Sequence, residues 1–220
     1  MRFNPDDLQV LTNFSNINQN IAFRKGSTIQ TISTMKNILC EYQMCNNEIP
    51  KDFCIYDLGE FLDIHDLFDK PEIKIKDDKV ILKDKRFTSQ YPTSEKSVVI
   101  SPTKSIECNN FDYQFMIRKK DIEDYLLIRK RTRNKLPDFL IQNNKGNFNF
   151  KLTDIKNRNS ANVDFNVDED NKTNRQFMFH LKCEKFDKIL IDDYDAEVSP
   201  EKIMMITNRN KNLKYWFALE

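Results

Sequence analysis

The stretch "YDLGEFLDIHDLFDKPEIKIKDDKVILKDK", Tyr56 to Lys85, changes its hydrophobic period partway along, and that change decides the fold. In its first half Leu58, Phe61, Leu62 and Phe68 recur at helical spacing, so a helix from Asp57 to Phe68 would carry them on one face. Asp57 can accept from the backbone N–H groups that open such a helix. Glu60, three residues on, can reach back, which is the reciprocal arrangement of a capping box. Pro71 stops the helix. Ile73 and Ile75 then alternate with charges, Asp77-Asp78-Lys79 turns the chain, and Val80 and Leu82 alternate back as the second strand of a hairpin. The unit is one helix packed on one hairpin, without a glycine-rich loop or a cluster of catalytic residue types.

The same grammar recurs three times. Near the C-terminus, Phe186, Ile189 and Leu190 give a short helical face. Pro200 then precedes an apolar strand around Ile203 to Ile206, the turn "TNRNKN", and an alternating strand with Leu213, Tyr215, Phe217 and Leu219. A helix also opens each half of the chain. In "NPDDLQVLTNFSNIN", Asn4 is the cap, Pro5 takes the first helical position, Asp6 and Asp7 sit in the first turn, and Val10, Phe14 and Ile17 share a side. In "IRKKDIEDYLLIRKRT", Ile122, Tyr125, Leu126 and Arg129 fall on one face, with Asn134 and Pro137 beyond the end. Helix-plus-strands units in two halves repeat an architecture, although identity between the halves is slight.

At 220 residues, each half is long enough for its own core. A hydrophobic share of 39% with 17 Phe indicates a folded chain. The 35 Lys and Arg against 34 Asp and Glu leave almost no net charge, so a whole-protein drive toward DNA or membrane is absent and any nucleic-acid function needs a local charge arrangement. No basic start followed by an apolar run opens the chain, and no stretch approaches the roughly 18 apolar residues of a membrane span. The expectation is a soluble cytoplasmic protein. Cys40, Cys45, Cys54, Cys108 and Cys183 are odd in number and lack a C-x-x-C pair, which fits reduced, mostly buried thiols.

Composition also argues against catalysis. With only Gly26, Gly59 and Gly146, neither a P-loop nor a G-x-G-x-x-G cradle can be built. His65 lies on the apolar side of its helix and His180 within "FMFHLKC", so both read as structural histidines. The acidic clusters "DIHD", Asp63 to Asp66, and "DEDN", Asp168 to Asn171, read as a helix whose carboxylates diverge and as a solvated turn. Hard-cation cages need several converging oxygens. The chain is read as a scaffold with no catalytic residues, no metal and no cofactor.

Positive charge concentrates in "RKKDIEDYLLIRKRTRNK", Arg118 to Lys135. Cations in the last turns of a helix complement its dipole. The sharper reading is a surface that contacts phosphates, where Lys and Arg supply affinity without choosing sequence.

The order of parts resembles the sliding clamps of T-even-type bacteriophages, the ring-shaped processivity factors of DNA replication. The resemblance is carried by "LTNFSNIN" (Leu11 to Asn18), "FRKGS" (Phe23 to Ser27), "IYDLGEFL" (Ile55 to Leu62), Pro92, "VVISPTKSI" (Val98 to Ile106) and the terminal "ALE" (Ala218 to Glu220), in order and at nearly the same spacing. It implies an α+β chain of the DNA clamp fold, with two similar domains, each of two helices packed on antiparallel sheets, at 1–108 (including most of a connector from about 91) and 109–220. It also implies a homotrimeric ring whose edge strands pair across subunits. Such a ring encircles duplex DNA and tethers the replicative polymerase. The clamp loader and late-transcription proteins are the other implied partners, and the location is inside the infected bacterial cell.

Carried onto this chain, the pore helices of the second domain would begin near Lys119 and lie around Glu184 to Leu190. The expected DNA-contacting residues are Lys119, Lys120, Arg129, Lys130, Arg131 and Arg133, with Lys185 and Lys188 behind them. A partner peptide would be received by a pocket near the connector with Val99, Ile100, Trp216, Phe217 and Leu219 as lining. One departure stands out: the first-domain helix carries Asp57, Glu60, Asp63 and Asp66, and the first helix has no Lys or Arg. The competing reading is a monomeric accessory protein that binds single-stranded nucleic acid, with Phe148, Phe150 and Phe165 as a stacking platform beside the basic helix.

Overall fold

The computed structural model describes residues 1–45, 47–103, 110–144, 147–167 and 175–220. The chain divides into two compact units, Met1–Ile106 with Lys211–Tyr215, and Glu107–Asn210 with Trp216–Glu220. The division falls at 106/107, and the C-terminal strand contributes to both units.

Unit 1 opens with helix α1 (Pro5–Ile17), followed by strands β1 (Ile21–Phe23), β2 (Thr28–Ile32), β3 (Ile38–Gln43) and β4 (Phe53–Ile55), helix α2 (Leu58–His65) and the sheet β5 (Glu72–Ile75), β6 (Lys79–Lys83), β7 (Thr88–Pro92). Asn4 caps α1: its side chain accepts from Asp7 N, and the Asp7 carboxylate accepts from Asn4 N, at 2.8 and 3.0 Å. Asp7 is fully buried because it also accepts from the Tyr42 hydroxyl at 3.0 Å. Burial, and then the Asp7 charge, raise the Tyr42 phenol well above its ordinary pKa. The buried side of α1 is Val10, Leu11, Phe14 and Ile17. β1 pairs antiparallel with β4, and Phe23 stacks on Phe53 with ring centroids 4.5 Å apart. The β5–β6 hairpin has the expected register, Ile73 opposite Leu82 and Ile75 opposite Val80.

α2 departs from its expected form in two respects. It ends at His65, before Phe68, and Glu60 does not close a capping box. Asp57 does accept from Glu60 N at 3.0 Å, but the Glu60 carboxylate instead accepts from the Tyr91 hydroxyl of β7 at 2.7 Å. The early ending has a tertiary cause. Asp84 in the β6–β7 turn accepts from Asp69 N at 3.1 Å, and Phe68 meets Phe87 edge to face at 6.0 Å, so the chain leaves the helix to reach that turn.

Unit 2 runs β8 (Tyr113–Ile117), α3 (Lys119–Arg131), β9 (Asp138–Asn144), β10 (Asn147–Thr153), β11 (Val163–Asn166), β12 (Phe177–Lys182), α4 (Cys183–Phe186), β13 (Tyr194–Val198) and β14 (Ile203–Asn208). β15 (Leu213–Ala218) closes the chain. One sheet has the order β11-β10-β9-β12, and β13 lies between β14 and β8 with all pairs antiparallel. Its core is a relay of rings in which Tyr125 of α3 lies 4.9 Å from Phe139, Phe139 lies 5.0 Å from Phe150, and Phe186 packs on both Tyr125 and Phe139.

The second helix expected here, Glu184 to Leu190, is a single turn. A run of seven residues is too short to hold a helix alone, and i→i−3 bonds from Lys188 N and Ile189 N close it off.

Candidate nucleic-acid interface

α3 organises the basic surface. Its first turn is held by Asp121, whose carboxylate accepts from Arg118 N at 2.8 Å, and by Asp193, which accepts from Lys119 N at 2.8 Å. Ile122, Tyr125 and Arg129 are buried, so Lys120, Glu123, Leu127, Lys130 and Arg131 point outward. Past its end Arg133 and Asn134 both adopt left-handed backbone (φ 52° and 57°), and Asn134 N returns to Arg129 O at 3.0 Å. Two successive residues without glycine in that region cost roughly 1 kcal/mol each. Arg133 is exposed in that turn, and its N–H donates to Lys130 O at 3.2 Å.

The structure sorts the candidate cations into two kinds. Lys119, Lys120, Lys130, Arg131 and Arg133 are exposed, and Lys119 keeps only a loose 3.9 Å contact with Glu123. Lys188 is half-buried. Arg129 and Lys185 are not surface groups. The Arg129 guanidinium grips Asp187 through two bonds, Nε–Oδ1 3.0 Å and Nη2–Oδ2 2.7 Å, and donates to Leu136 O at 2.9 Å. With three of its five N–H donors engaged and its side chain 9% exposed, it is not placed to meet a phosphate. The Lys185 ammonium is similarly consumed by Ala218 O and Glu220 Oε1, at 2.7 and 2.6 Å. Both therefore hold unit 2 together. Asp187 is the residue that sequence reasoning missed. Its partners Arg129 and Tyr125 are more than fifty positions away, and no local pattern marks it.

Below the end of α3 lies a cleft of about 460 Å³ lined by Asn134, Asp138, Asp154, Lys156, Lys182 and Glu184 among others. Its centre is the buried Asp138 carboxylate, which bonds His180 Nε2 at 2.8 Å, the Lys182 ammonium, and Ile155 N at 2.9 Å. Burial pushes the Asp138 carboxyl up, but these donors outweigh it and hold the group below its ordinary value. His180 is structural, as its setting in the sequence suggested. His65 is structural in a different way: buried at 4% exposure beside Phe3, with neither ring nitrogen hydrogen-bonded. Burial lowers its pKa, against a weaker opposing pull from Asp66.

The unit 1 helices differ in charge. The exposed positions of α1 include Gln9, Thr12 and Asn16, and those of α2 are Glu60 and Asp63, with Asp66 just beyond its end. Among the described residues, no group of three or more His, Cys, Asp or Glu is placed to hold a metal. "DEDN" lies outside the described residues, as do Cys108, Gly146 and the last residues of "VVISPTKSI". No helix among the described residues is long and apolar enough to cross a membrane.

Of the peptide-pocket candidates, Val99 and Ile100 belong to unit 1. Val99 is buried against Ala22 and Cys54, and the Ile100 backbone is held by Asn18 and Asn20 at 3.0 and 2.8 Å, leaving its side chain 37% exposed. In unit 2, Trp216 is 8% exposed, Leu219 is half-buried, and Phe217 is wholly buried. Phe217 is core because a fully enclosed ring cannot meet a peptide. The same reasoning removes the stacking platform for single strands, since Phe148 and Phe150 are buried and Phe165 packs edge to face on Phe150 at 5.5 Å.

Comparison with known proteins bears directly on this architecture. Residues 7–101 match the family model of the DNA polymerase processivity factor. The sliding clamp of Vibrio phage KVP40 is 26% identical over 228 aligned positions, covering 100% of this chain and 99% of that protein. The sliding clamp of Escherichia phage RB69 is 29% identical over 132 positions, covering 59% of this chain and 58% of that protein. Among solved structures, proliferating cell nuclear antigen from Entamoeba histolytica superposes with a TM-score of 0.73 at 11% identity, over 97% of this chain and 94% of its own. The Helicobacter pylori beta clamp bound to a DNA ligase peptide gives 0.73 at 12% identity, over 100% of this chain and 65% of its own. At such identities these structures show the fold alone, and the fold is that of a clamp. The family match over residues 7–101, the full-length phage relative and the clamp fold agree on one reading, a DNA sliding clamp similar to those of T-even-type phages.

Proposed function

We propose that three copies close into a ring around duplex DNA and hold the replicative polymerase at the primer end, without chemistry of their own. The observation that carries this reading is the placement of charge: on a chain with net charge +1, exposed Lys119, Lys120, Lys130, Arg131 and Arg133 gather on one helix and its cap. A clamp that slides needs several weak, salt-screened phosphate contacts and no base contacts. Five flexible cations with few competing partners meet that need, with Lys188 as a secondary contact. Topology supplies retention, and tethering raises the polymerase's effective concentration at the DNA end.

The two domains are taken as 1–108 and 109–220, with the connector beginning near 91. Edges left open in the outer sheets, such as β7 and β11, are liabilities for a lone chain and are used up when copies pair. The Helicobacter pylori relative binds a ligase peptide, and a Sulfolobus tokodaii structure of this fold, with a TM-score of 0.67 at 11% identity, is a complex of two clamp chains. By analogy, partner peptides of polymerase, clamp loader and late-transcription proteins are assigned to Ile100, Trp216 and Leu219, with Val99 supporting Ile100 from below. The location is the cytoplasm of the infected bacterium.

The test combines mass and topology. Light scattering at tens of micromolar should give about 79 kDa, three times 26.3 kDa. After loading, the protein should stay on closed circular DNA and be lost when a restriction cut makes the circle linear. A clean monomer, or equal retention on both forms, would refute the reading.

A further inference from the structure

One end of unit 2 carries more positive charge than α3 alone accounts for. The register of its sheet sets Thr153, at the end of β10, opposite Asp138 at the start of β9, with Lys182 of β12 opposite the same residue. The turn from β10 to β11 therefore lies at the end of the unit where the chain leaves α3. Asp138 ties the two together by accepting from Ile155 N at 2.9 Å, and the cleft described above has both Asn134 and Lys156 in its wall. Lys156 and Arg158 are exposed in that turn, and Arg131, Arg133 and Lys135 are exposed at the end of α3. None of these five has an ion-pair partner among the described residues.

The carboxylates of the cleft leave these cations uncompensated. Asp138 is engaged by Lys182, His180 and the Ile155 amide. Asp154 accepts from Lys156 N and Asn157 N at 3.0 and 3.2 Å, which leaves Glu184 as the exposed acid in the cleft wall. The turn is also fixed in advance. Ser160 N donates to Asn157 O at 2.9 Å, Asn159 N donates to Asn157 Oδ1 at 3.1 Å, and the Thr153 hydroxyl bonds the Asn162 side chain. Cations mounted on an ordered turn lose less freedom on binding than cations on a loose one.

We propose that Lys156 and Arg158 contact phosphates, and that with Arg133 and Lys135 they form a second DNA contact at the rim, where the duplex leaves the hole. This rests on the reading above, in which α3 lines the hole and its end marks the rim. The occupant follows from continuity of charge. Lys130 and Arg131 lie in the last turn of α3, within about 5 Å of its end, so a backbone they meet runs on toward Arg133, Lys135 and the turn. Duplex DNA carries one charge per about 1.7 Å of axis, which supplies phosphates to both groups at once. Such contacts position the duplex and choose no sequence. In "TDIKNRNSAN", 153–162, the two cations are scattered among asparagines, and only the strand register brings them beside the helix end.

The test is binding of a fluorescent duplex of random sequence, followed by anisotropy from about 25 to about 300 mM salt. Lys156→Ala with Arg158→Ala should bind about threefold to tenfold more weakly at the low-salt end, with the slope of log affinity against log salt reduced by about one to two. Lys156→Arg with Arg158→Lys should match wild type. Lys130→Ala with Arg131→Ala is the comparison, because it reports on α3 alone.

A turn variant with wild-type affinity and slope, beside a weakened α3 variant, would overturn the rim contact and leave α3 as the DNA surface. No loss in either variant, or no binding by wild type at about 25 mM salt, would overturn the α3 reading and the rim contact together. Where the turn variant fails to fold by circular dichroism, lysine acetylation of the wild-type chain read by mass spectrometry decides. The duplex should protect Lys156 along with Lys130 at low salt. Protection of Lys130 alone would refute the rim contact, and protection of Lys156 by poly-L-glutamate in preference to the duplex would assign the turn to an acidic protein instead.

Discussion

Arg129→Ala should unfold unit 2 far more readily than it weakens DNA contact. The side chain makes two charge-assisted bonds to Asp187 and one to Leu136 O, all between 2.7 and 3.0 Å. Hydrogen bonds to charged groups contribute about 1.5–3 kcal/mol each. Breaking a buried ion pair by removing one partner costs about 3–5 kcal/mol because the other charge is stranded. Asp187 is 31% exposed and keeps the Tyr125 hydroxyl at 2.8 Å, so water and that hydroxyl recover part of the loss. The net expectation is about 3 kcal/mol, or roughly 6–12 °C in Tm for a chain of this size.

Urea denaturation followed by far-ultraviolet circular dichroism measures it. Lys130→Ala and Arg131→Ala on the same helix, being exposed, should stay within about 0.5 kcal/mol of wild type. Retention on circular DNA should show the reverse order, with the two surface variants weakened and Arg129→Ala normal at temperatures where it is folded. An Arg129→Ala chain as stable as wild type but released from DNA faster would refute the assignment of Arg129 to the core.

Other outcomes follow from the same structure. Arg133→Gly should stabilise the chain by about 0.5–1 kcal/mol, because glycine accepts the left-handed backbone at φ 52° without strain, while weakening DNA retention. Opposite signs in the two assays are the check. His65 has a lowered pKa through burial, so the unfolded chain binds the proton more readily. Stability should fall as pH drops through about 6.5 and level off below the folded value, and His65→Leu should remove that slope in a urea titration series. Asp138 is shifted downward too, so its contribution is full above about pH 4 and is lost as pH falls through its folded value. Asp138→Asn should therefore cost stability at neutral pH and little in acid.

Local signals carried most of the fold. The α1 cap, the Pro5 start and the β5–β6 register are decided within a few residues, and they stand in the structure as the sequence implies. Where the reading erred, the deciding partner was distant in the chain. Glu60 turned to Tyr91, thirty-one positions on. α2 stopped early because Asp69 and Phe68 are claimed by the β6–β7 turn. Lys185 is neutralised by Glu220, thirty-five positions away, and nothing in "CEKFDK" announces it. Arg129 is the instructive case, since its phase with Ile122 and Tyr125 already placed it on the buried face. A run of cations invites counting by charge, and only the helical period shows which of them points inward.

The balance of charge now has a physical logic. A clamp that gripped DNA with every cation would bind tightly, and each neutralised phosphate would add to the salt dependence and slow sliding. This chain carries nearly as many acids as bases, 34 against 35, and withdraws Arg129 and Lys185 into the fold. On the proposed reading, what remains for DNA is a small set of exposed side chains on α3 and just past its end. Encirclement does not require affinity, so the contact with DNA can stay weak. On the proposed reading the acidic helix of unit 1 is not an obstacle to the function, because retention comes from topology and needs no cation at every position.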